Sequence, residues 1–207
     1  MKMKTLHLSI IIAVGVGAIV TFGVIMLISP HIFTISSQSN TGEGSQLALA
    51  VSINSTQIKT GQSMGMDISL ANTSPDTLVV NPQHNWPLRK WSMGPCLFHL
   101  PFGIALMKGD YTIDNMTQGQ RLLLYPRGVY MCKTIGIVDY VFEPSSTKAT
   151  IETYNSTYPV TMQYHLGFNG FYQGQQFQPL ADGTYTIIGD DQWGHISVNH
   201  FTVNNTS

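Results

Sequence analysis

The chain has 207 residues, a formal net charge of −1 and only 10% charged residues, against about 25% in an average soluble domain. That length accommodates one ordinary domain plus an accessory segment. The charge balance excludes nucleic acid as a partner: beyond the first four residues the only adjacent basic pair is Arg89-Lys90, far short of a phosphate-binding surface.

The opening "MKMK" precedes "TLHLSIIIAVGVGAIVTFGVIMLIS", and no formally charged residue occurs from Thr5 until Glu43. As a helix, Leu6–Ile28 is about 35 Å long, enough for a hydrocarbon core of roughly 30 Å. A cleaved signal peptide has an apolar stretch of only about 7–15 residues and a small-residue cleavage site. The following "ISPHIFTISS" has no such site. These features predict an uncleaved signal anchor in residues 1–29, with a removed signal peptide as the alternative. Lys2 and Lys4 place the amino terminus in the cytoplasm by the positive-inside rule, so that everything after Ser29 lies outside.

Residues 30–45, containing "SSQSNTGEGS", read as a flexible tether, and residues 46–207 as an extracytoplasmic domain. Its periodicity is that of strands. Leu47, Leu49, Val51 and Ile53 share one face of the first, and Met64, Met66, Ile68 and Leu70 one face of the second. Further strands are predicted at Thr77–Val80, Leu97–Lys108 (interrupted by Pro101), Gln120–Tyr125, Val129–Lys133, Gly136–Phe142, Ala149–Thr153 and Val160–Phe168. Thr184–Ile188 and His195–Val203 form the last pair. Turn signals such as "TSPD", "KGD", "YPRG", "EPSS" and "LADG" separate them. "GFNGFYQGQQFQ", Gly167–Gln178, reads as a mobile loop or irregular edge. No amphipathic helix is predicted after residue 30. Short strands at close spacing predict an all-β, antiparallel β-sandwich.

Cys96 and Cys132 both fall in this outer part, where an oxidising compartment favours one disulfide; two free, buried thiols are the alternative. Asn-x-Ser/Thr acceptors occur at Asn54, Asn72, Asn115, Asn155, Asn204 and Asn205, all beyond the apolar segment, as expected of an exported glycoprotein.

"PRGVYMC", Pro126–Cys132, has a Tyr two residues before a Cys and resembles the tyrosine corner of immunoglobulin-like domains. "LADGTYTIIG", Leu180–Gly189, has the same Gly-x-Tyr lead into a strand. Cys96 and Cys132 lie too close in sequence for the inter-sheet pair of a true immunoglobulin domain, and Trp86 and Trp91 precede the first Cys. The resemblance therefore implies an immunoglobulin-like sandwich, not an immunoglobulin domain. "LADGTYTIIG" is also similar to the last hairpin of the intracellular proteinase inhibitor family, which implies a protease-inhibitor-like module. The order of anchor, "GPCLFHLPFGIALMKGDYT", "LYPRGVYMC" and "DQWGHISVNHF" resembles single-span surface proteins of ammonia-oxidising archaea. That layout implies location and fold and transfers no activity.

Two groups of residues could hold a metal. His84, Met93, Cys96, His99 and Met107 cluster in sequence, and Cys96-x2-His99 has a spacing seen in blue-copper loops. Met107 lies too far beyond His99 for the axial ligand, and His84 lies too close to Cys96 for the upstream histidine. The second group is Asp190, Asp191, His195 and His200 in "GTYTIIGDDQWGHISVNHFTV". A strand starting at His195 puts the two histidines on opposite faces unless a bulge intervenes near Asn199. Asp and Gly there equally suit a hairpin turn. His200 shares a face with Ile196 and Val198, and on an apolar face it needs a buried partner or a ligand.

Catalytic templates fit poorly. Ser145-Ser146-Thr147-Lys148 and Lys59-Thr60-Gly61 match two motifs of penicillin-binding enzymes in the wrong order and without the third. The expectation is a non-enzymatic surface module with an unknown protein partner in the envelope or outside, and with the membrane engaged by its anchor. An exported copper-binding or redox protein is the alternative. Trp86, Arg89 and Trp91 in "NWPLRKW" form the candidate contact patch, since Trp and Arg are enriched at interface hot spots; the competing reading is that the tryptophans cap the core.

Overall fold

Strict alternation builds the centre of the molecule. In the strand Met64–Asn72 the side chains of Met64, Met66, Ile68 and Leu70 are fully buried while those between them are half-exposed, the period-two pattern of a strand with one dry face. The computed structural model describes residues 44–83, 96–97, 99–128, 130–132 and 135–205, together with the backbone of 32–35. The predicted span Leu6–Ile28, and His84, Trp86, Arg89, Trp91 and Met93, lie outside the described residues. Among the described residues no helix is long and apolar enough to cross a membrane.

Three larger sheets and a hairpin form around that strand. In chain order the strands of the first half are β1 (Ile32–Ile35), β2 (Leu47–Ile53), β3 (Gln57–Lys59), β4 (Met64–Asn72), β5 (Leu78–Val80), β6 (Phe102–Lys108) and β7 (Arg121–Leu122). The second half supplies β8 (Ile137–Phe142), β9 (Lys148–Thr153), β10 (Thr157–Thr161), β11 (Gln163–Phe168), β12 (Gly170–Gln173), β13 (Gln176–Pro179), β14 (Gly183–Asp191) and β15 (Ile196–Asn204). The first sheet has the order β1-β2-β4-β11, the second β3-β15-β14-β6-β7 and the third β10-β9-β8-β5, while β12 and β13 pair as a hairpin. All pairings are antiparallel except β3 with β15. The architecture is all-β with stacked antiparallel sheets, consistent with the expected β-sandwich.

The first and second sheets meet at Gly189 of β14, where an added Cβ would lie 2.5 Å from Val51 Cγ2 and 3.2 Å from Ile68 Cδ1. Only a residue without a side chain allows that approach. Around it, Leu49, Val51, Met66 and Ile68 pack with Tyr185, Ile187 and Phe201, and the same cluster continues into Tyr140 and Phe142 of the third sheet. Tyr185 stacks on Phe201 with ring centroids 5.3 Å apart.

The strand expected at Val160–Phe168 is broken at Met162, which lies between β10 and β11. Its N–H donates to the Thr147 carbonyl at 2.7 Å and its own carbonyl accepts from Leu70 N–H at 2.9 Å. There the chain leaves the third sheet and enters the first, as strands do at the corners of packed sheets.

Three expectations are corrected. The stretch expected as a tether, residues 30–45, is not all linker: Ile32–Ile35 pairs with β2 and Gly44 is buried against Trp193. Its "IFTI" is rich in β-branched residues, which suit a strand edge. In Gly167–Gln178, expected as a mobile loop or irregular edge, Gly167 and Phe168 end β11 and the chain from Gly170 onward forms the β12–β13 hairpin: Gly174, at φ 67°, takes the first of two turn positions, where a left-handed residue is needed. Tyr130–Cys132, expected as strand, makes no ladder. The Tyr130 hydroxyl donates back to the Pro126 carbonyl at 2.6 Å, closing a local turn.

A methyl group at the closest inter-sheet approach has nowhere to go, since both neighbours belong to fully buried side chains. Gly189→Ala is expected to lower unfolding free energy by about 1–3 kcal/mol, measured as a drop in urea midpoint with an unchanged slope.

Candidate functional site

The segment from Asp190 to His200 carries the densest set of buried polar groups in the described chain. Asp190, Asp191 and Ser197 are fully buried, and Gln192, His195 and Asn199 nearly so. Strand β14 extends through both aspartates, and the turn into β15 is made by residues 192–195. Because Asp190 and Asp191 are consecutive in a strand, they face opposite sides of the sheet and do not form a carboxylate pair.

Asp191 holds the turn together. Its Oδ1 accepts from the backbone N–H of Trp193 at 2.9 Å and of His195 at 3.0 Å. Its Oδ2 lies 2.6 Å from His195 Nδ1, which donates the ring N–H. Gly194, at φ 94°, supplies the left-handed residue that lets the chain turn back. This is the Asx-type turn that "GDDQWG" favours, closed further by the histidine. With side-chain exposures of 4% for His195 and 0% for Asp191, the pair faces protein and not solvent.

The turn also seats Trp193. Its ring meets Tyr140 edge-on at 5.8 Å and Phe142 at 6.4 Å. Gln192 Oε1 accepts from the Gln83 N–H at 3.1 Å. Tyr140 donates its hydroxyl hydrogen to the His99 carbonyl at 3.2 Å. Burial pushes the Tyr140 phenol far up, against a smaller opposing effect of its hydrogen bond to Gln192. Burial likewise raises Tyr185, opposed by its bond to the Ala181 carbonyl and reinforced by nearby Asp182.

His200 sits elsewhere. The β14–β15 register runs unbroken from Gly183↔Val203 to Asp190↔Ile196, so the bulge expected near Asn199 is absent. Asn199, Phe201 and Val203 point inward, and Ile196, Val198 and His200 outward. The outward face is apolar because residues 109–119 fold over it. Met107, Met116, Ile188 and Ile196 form a second cluster there, with Tyr111, Ile113 and Val198 against it. His200 lies at the cluster's open end, its side chain 40% exposed, with Nε2 2.8 Å from the Tyr111 carbonyl and 3.0 Å from Asp110 Oδ1. Its partner is this loop. His195 and His200 are on opposite faces and cannot share an ion.

Cys96 and Cys132 form a disulfide, so the Cys96 sulfur is no thiolate ligand. Met107 is packed into the second cluster, and His84 lies outside the described residues. Among the described residues no three His, Cys, Asp or Glu side chains are grouped to hold a metal ion. Asn54, Asn155, Asn204 and Asn205 are exposed and Asn115 half-buried. Asn72 is buried, and its amide donates to the carbonyls of Asp76 and Glu143 while its Oδ1 accepts from Ser74 N–H. In the folded domain that nitrogen is already engaged.

One feature escaped the sequence reading. A groove of about 480 Å³ runs between β6 and residues 119–127, lined by Ile104, Leu106, Leu122 and Leu124 and by Arg121 and Arg127. Its signal was "RLLLYPR", in which two arginines flank an apolar run. The pairing of β6 with β7, Leu106 against Leu122, folds that run alongside the sheet edge. No protein-family model, curated protein or solved structure matches the chain.

Asp191→Ala removes three hydrogen bonds to one buried carboxylate and is expected to cost about 3 kcal/mol, read by urea denaturation; Asp191→Asn, which keeps an acceptor for the backbone N–H groups, is expected to cost less. The raised tyrosines give a pH prediction of definite sign. Unfolded phenols ionise from about pH 10 while the buried ones stay protonated, so the unfolded state binds fewer protons there. Stability is then complete below that pH and falls above it. Urea midpoints are expected to fall progressively as the pH rises above about 10, with a shallower drop in Tyr140→Phe.

Proposed function

We propose that the chain is a non-enzymatic binding module, an immunoglobulin-like sandwich held at the outer face of a membrane by Leu6–Ile28. The observation that carries the reading is the commitment of its polar cluster. Asp191, the residue best placed by chemistry to serve a reaction, spends both oxygens on the turn and on His195, away from solvent. What the domain offers to the outside is instead a groove and a polar surface with low charge. Small-molecule sites occupy clefts of about 300–1,000 Å³, a size the groove reaches.

Two local features support the immunoglobulin-like description. Tyr130 and Tyr185 each donate a hydroxyl hydrogen to the carbonyl four residues upstream, Pro126 at 2.6 Å and Ala181 at 2.8 Å, the bond that defines a tyrosine corner. The uncharged run from Thr5 to Gly42 supports the anchor, and the resemblance to single-span archaeal surface proteins agrees with it. The disulfide suits an oxidising exterior.

Alkaline carbonate extraction followed by proteolysis of intact cells tests the placement. The chain is expected to stay in the membrane pellet, to retain Met1–Ser29, and to lose its sandwich domain to external protease. Release into the supernatant, or mature protein lacking Met1–Ser29, overturns the anchored arrangement.

A further inference from the structure

The β9–β10 hairpin carries two aromatic rings outside the core. Tyr154 is 85% exposed and Tyr158 38%, and neither joins the two apolar clusters. The turn between them, residues 154–156, is pinned at its base. The Thr153 N–H and hydroxyl both donate to the Ser156 carbonyl, at 2.9 and 2.8 Å, and the Ser156 N–H donates to Thr153 Oγ1 at 3.1 Å. The Ser156 hydroxyl donates to the Tyr158 hydroxyl at 2.8 Å. Tyr154 lies beside Gly136, where an added Cβ would stand 3.6 Å from its Cδ2. Together these residues enclose a pocket of about 220 Å³, lined by Ile135 and the two tyrosines and by Ser156 and Asn155. None of the described residues lining it is charged.

That lining suits a neutral ring with an apolar face and hydroxyl edges. A charged ligand finds no counter-ion, and an alkyl chain leaves the Asn155, Ser156 and tyrosine polar groups unmatched. Aromatic rings with a polar tip serve such two-sided ligands, and a sugar ring is one. The pocket is smaller than the roughly 300–1,000 Å³ of sites for free ligands, so a free sugar gains little there. A sugar attached to Asn155 is held differently. Asn155-Ser156-Thr157 is an acceptor triplet, Asn155 is exposed, and it is itself part of the pocket lining. Attachment there keeps the sugar at an effective concentration of roughly millimolar or above, so a weak contact is enough to seat it. The side chains of Asn54, Asn72 and Asn115 are instead committed to the backbone N–H groups of Gly65, Ser74 and Thr112.

We propose that Asn155 carries an N-linked glycan whose first sugar ring packs in this pocket against Tyr154 and Tyr158. The Nδ2–C1 bond forms as the C1–O bond of a lipid-phosphate-linked sugar breaks. The electron pair leaves on the phosphate oxygen, and one amide proton passes to a base of the transferring enzyme. The inference rests on the outward placement of the domain, where such a donor is met.

The test is glycopeptide mass spectrometry on the full chain purified from the membranes of its own cells, followed by nitration of the same material with tetranitromethane. Peptides containing Asn155 are expected to carry glycan, and those containing Asn72 none. Nitration of Tyr154 and Tyr158 is expected to be about two- to tenfold slower than in Asn155→Gln, and to stay slow when the glycan is trimmed to its first sugar. Thr157→Ala, which removes the acceptor triplet but keeps Asn155, is expected to lose both glycan and protection, and it decides should Asn155→Gln fail to fold. An unmodified Asn155, tyrosines as reactive as in Asn155→Gln, or protection that trimming abolishes overturns the proposal. Glycan at Asn54, Asn204 or Asn205 with Asn155 bare overturns it while the outward placement stands, since membrane retention and protease exposure are read separately.

Discussion

A single buried carboxylate organises one end of this domain. Asp191 has no water to bind, so its charge is met by two backbone N–H groups and a histidine ring, each a charge-assisted bond. Those bonds fix residues 192–195 in one conformation. With the turn fixed, Trp193 is delivered to Tyr140 and Phe142 of the third sheet, and Gln192 to the segment after β5. Gly44, just before β2, closes the other side of the tryptophan. The turn belongs to the second sheet but contacts the ends of the other two, so loss of its geometry is felt across the layers.

The opposite face of the second sheet solves a different problem. Its central strands are apolar on both sides, which in an antiparallel sheet demands a cover on the face that would otherwise be wet. Residues 109–119 supply it. Thr186 fastens the cover, accepting from Tyr111 N–H at 3.0 Å and donating to the Gly109 carbonyl at 2.7 Å. His200 grips its edge through Tyr111 and Asp110. After the cover the chain returns to the sheet edge as β7, and the groove lies where it does so.

Sequence legibility followed locality. β2 and β4 were legible because alternation over seven or nine residues has one explanation. The same test misread β15. It took a change of apolar side for a bulge, where the strand is in fact buried on both faces and its inward face carries Ser197 and Asn199. Asn199 donates to the Val51 carbonyl across the layers at 3.1 Å, a contact with a partner 148 residues away that no local pattern announces. β1 and β3 were missed because they are short and owe their form to a neighbour. Gly167–Gln178 was misread because its glutamines and glycines look like loop, although the turn glycine was present. Among the site residues, the turn chemistry of Asp191 and the separation of His195 from His200 were readable. The groove was not, since Leu106 and Leu122 become neighbours only through the fold.

Met162 has a consequence for how the molecule comes apart. Its N–H is bonded to the third sheet and its carbonyl to the first, and Asn72 repeats the link through its own N–H to the Ser146 carbonyl at 2.9 Å. Neither sheet can open at this corner without breaking bonds that belong to the other. Local fluctuations that in many sandwiches peel away one layer at a time are here tied into one cooperative event, and the slowest-exchanging amides should straddle the corner instead of filling a single sheet.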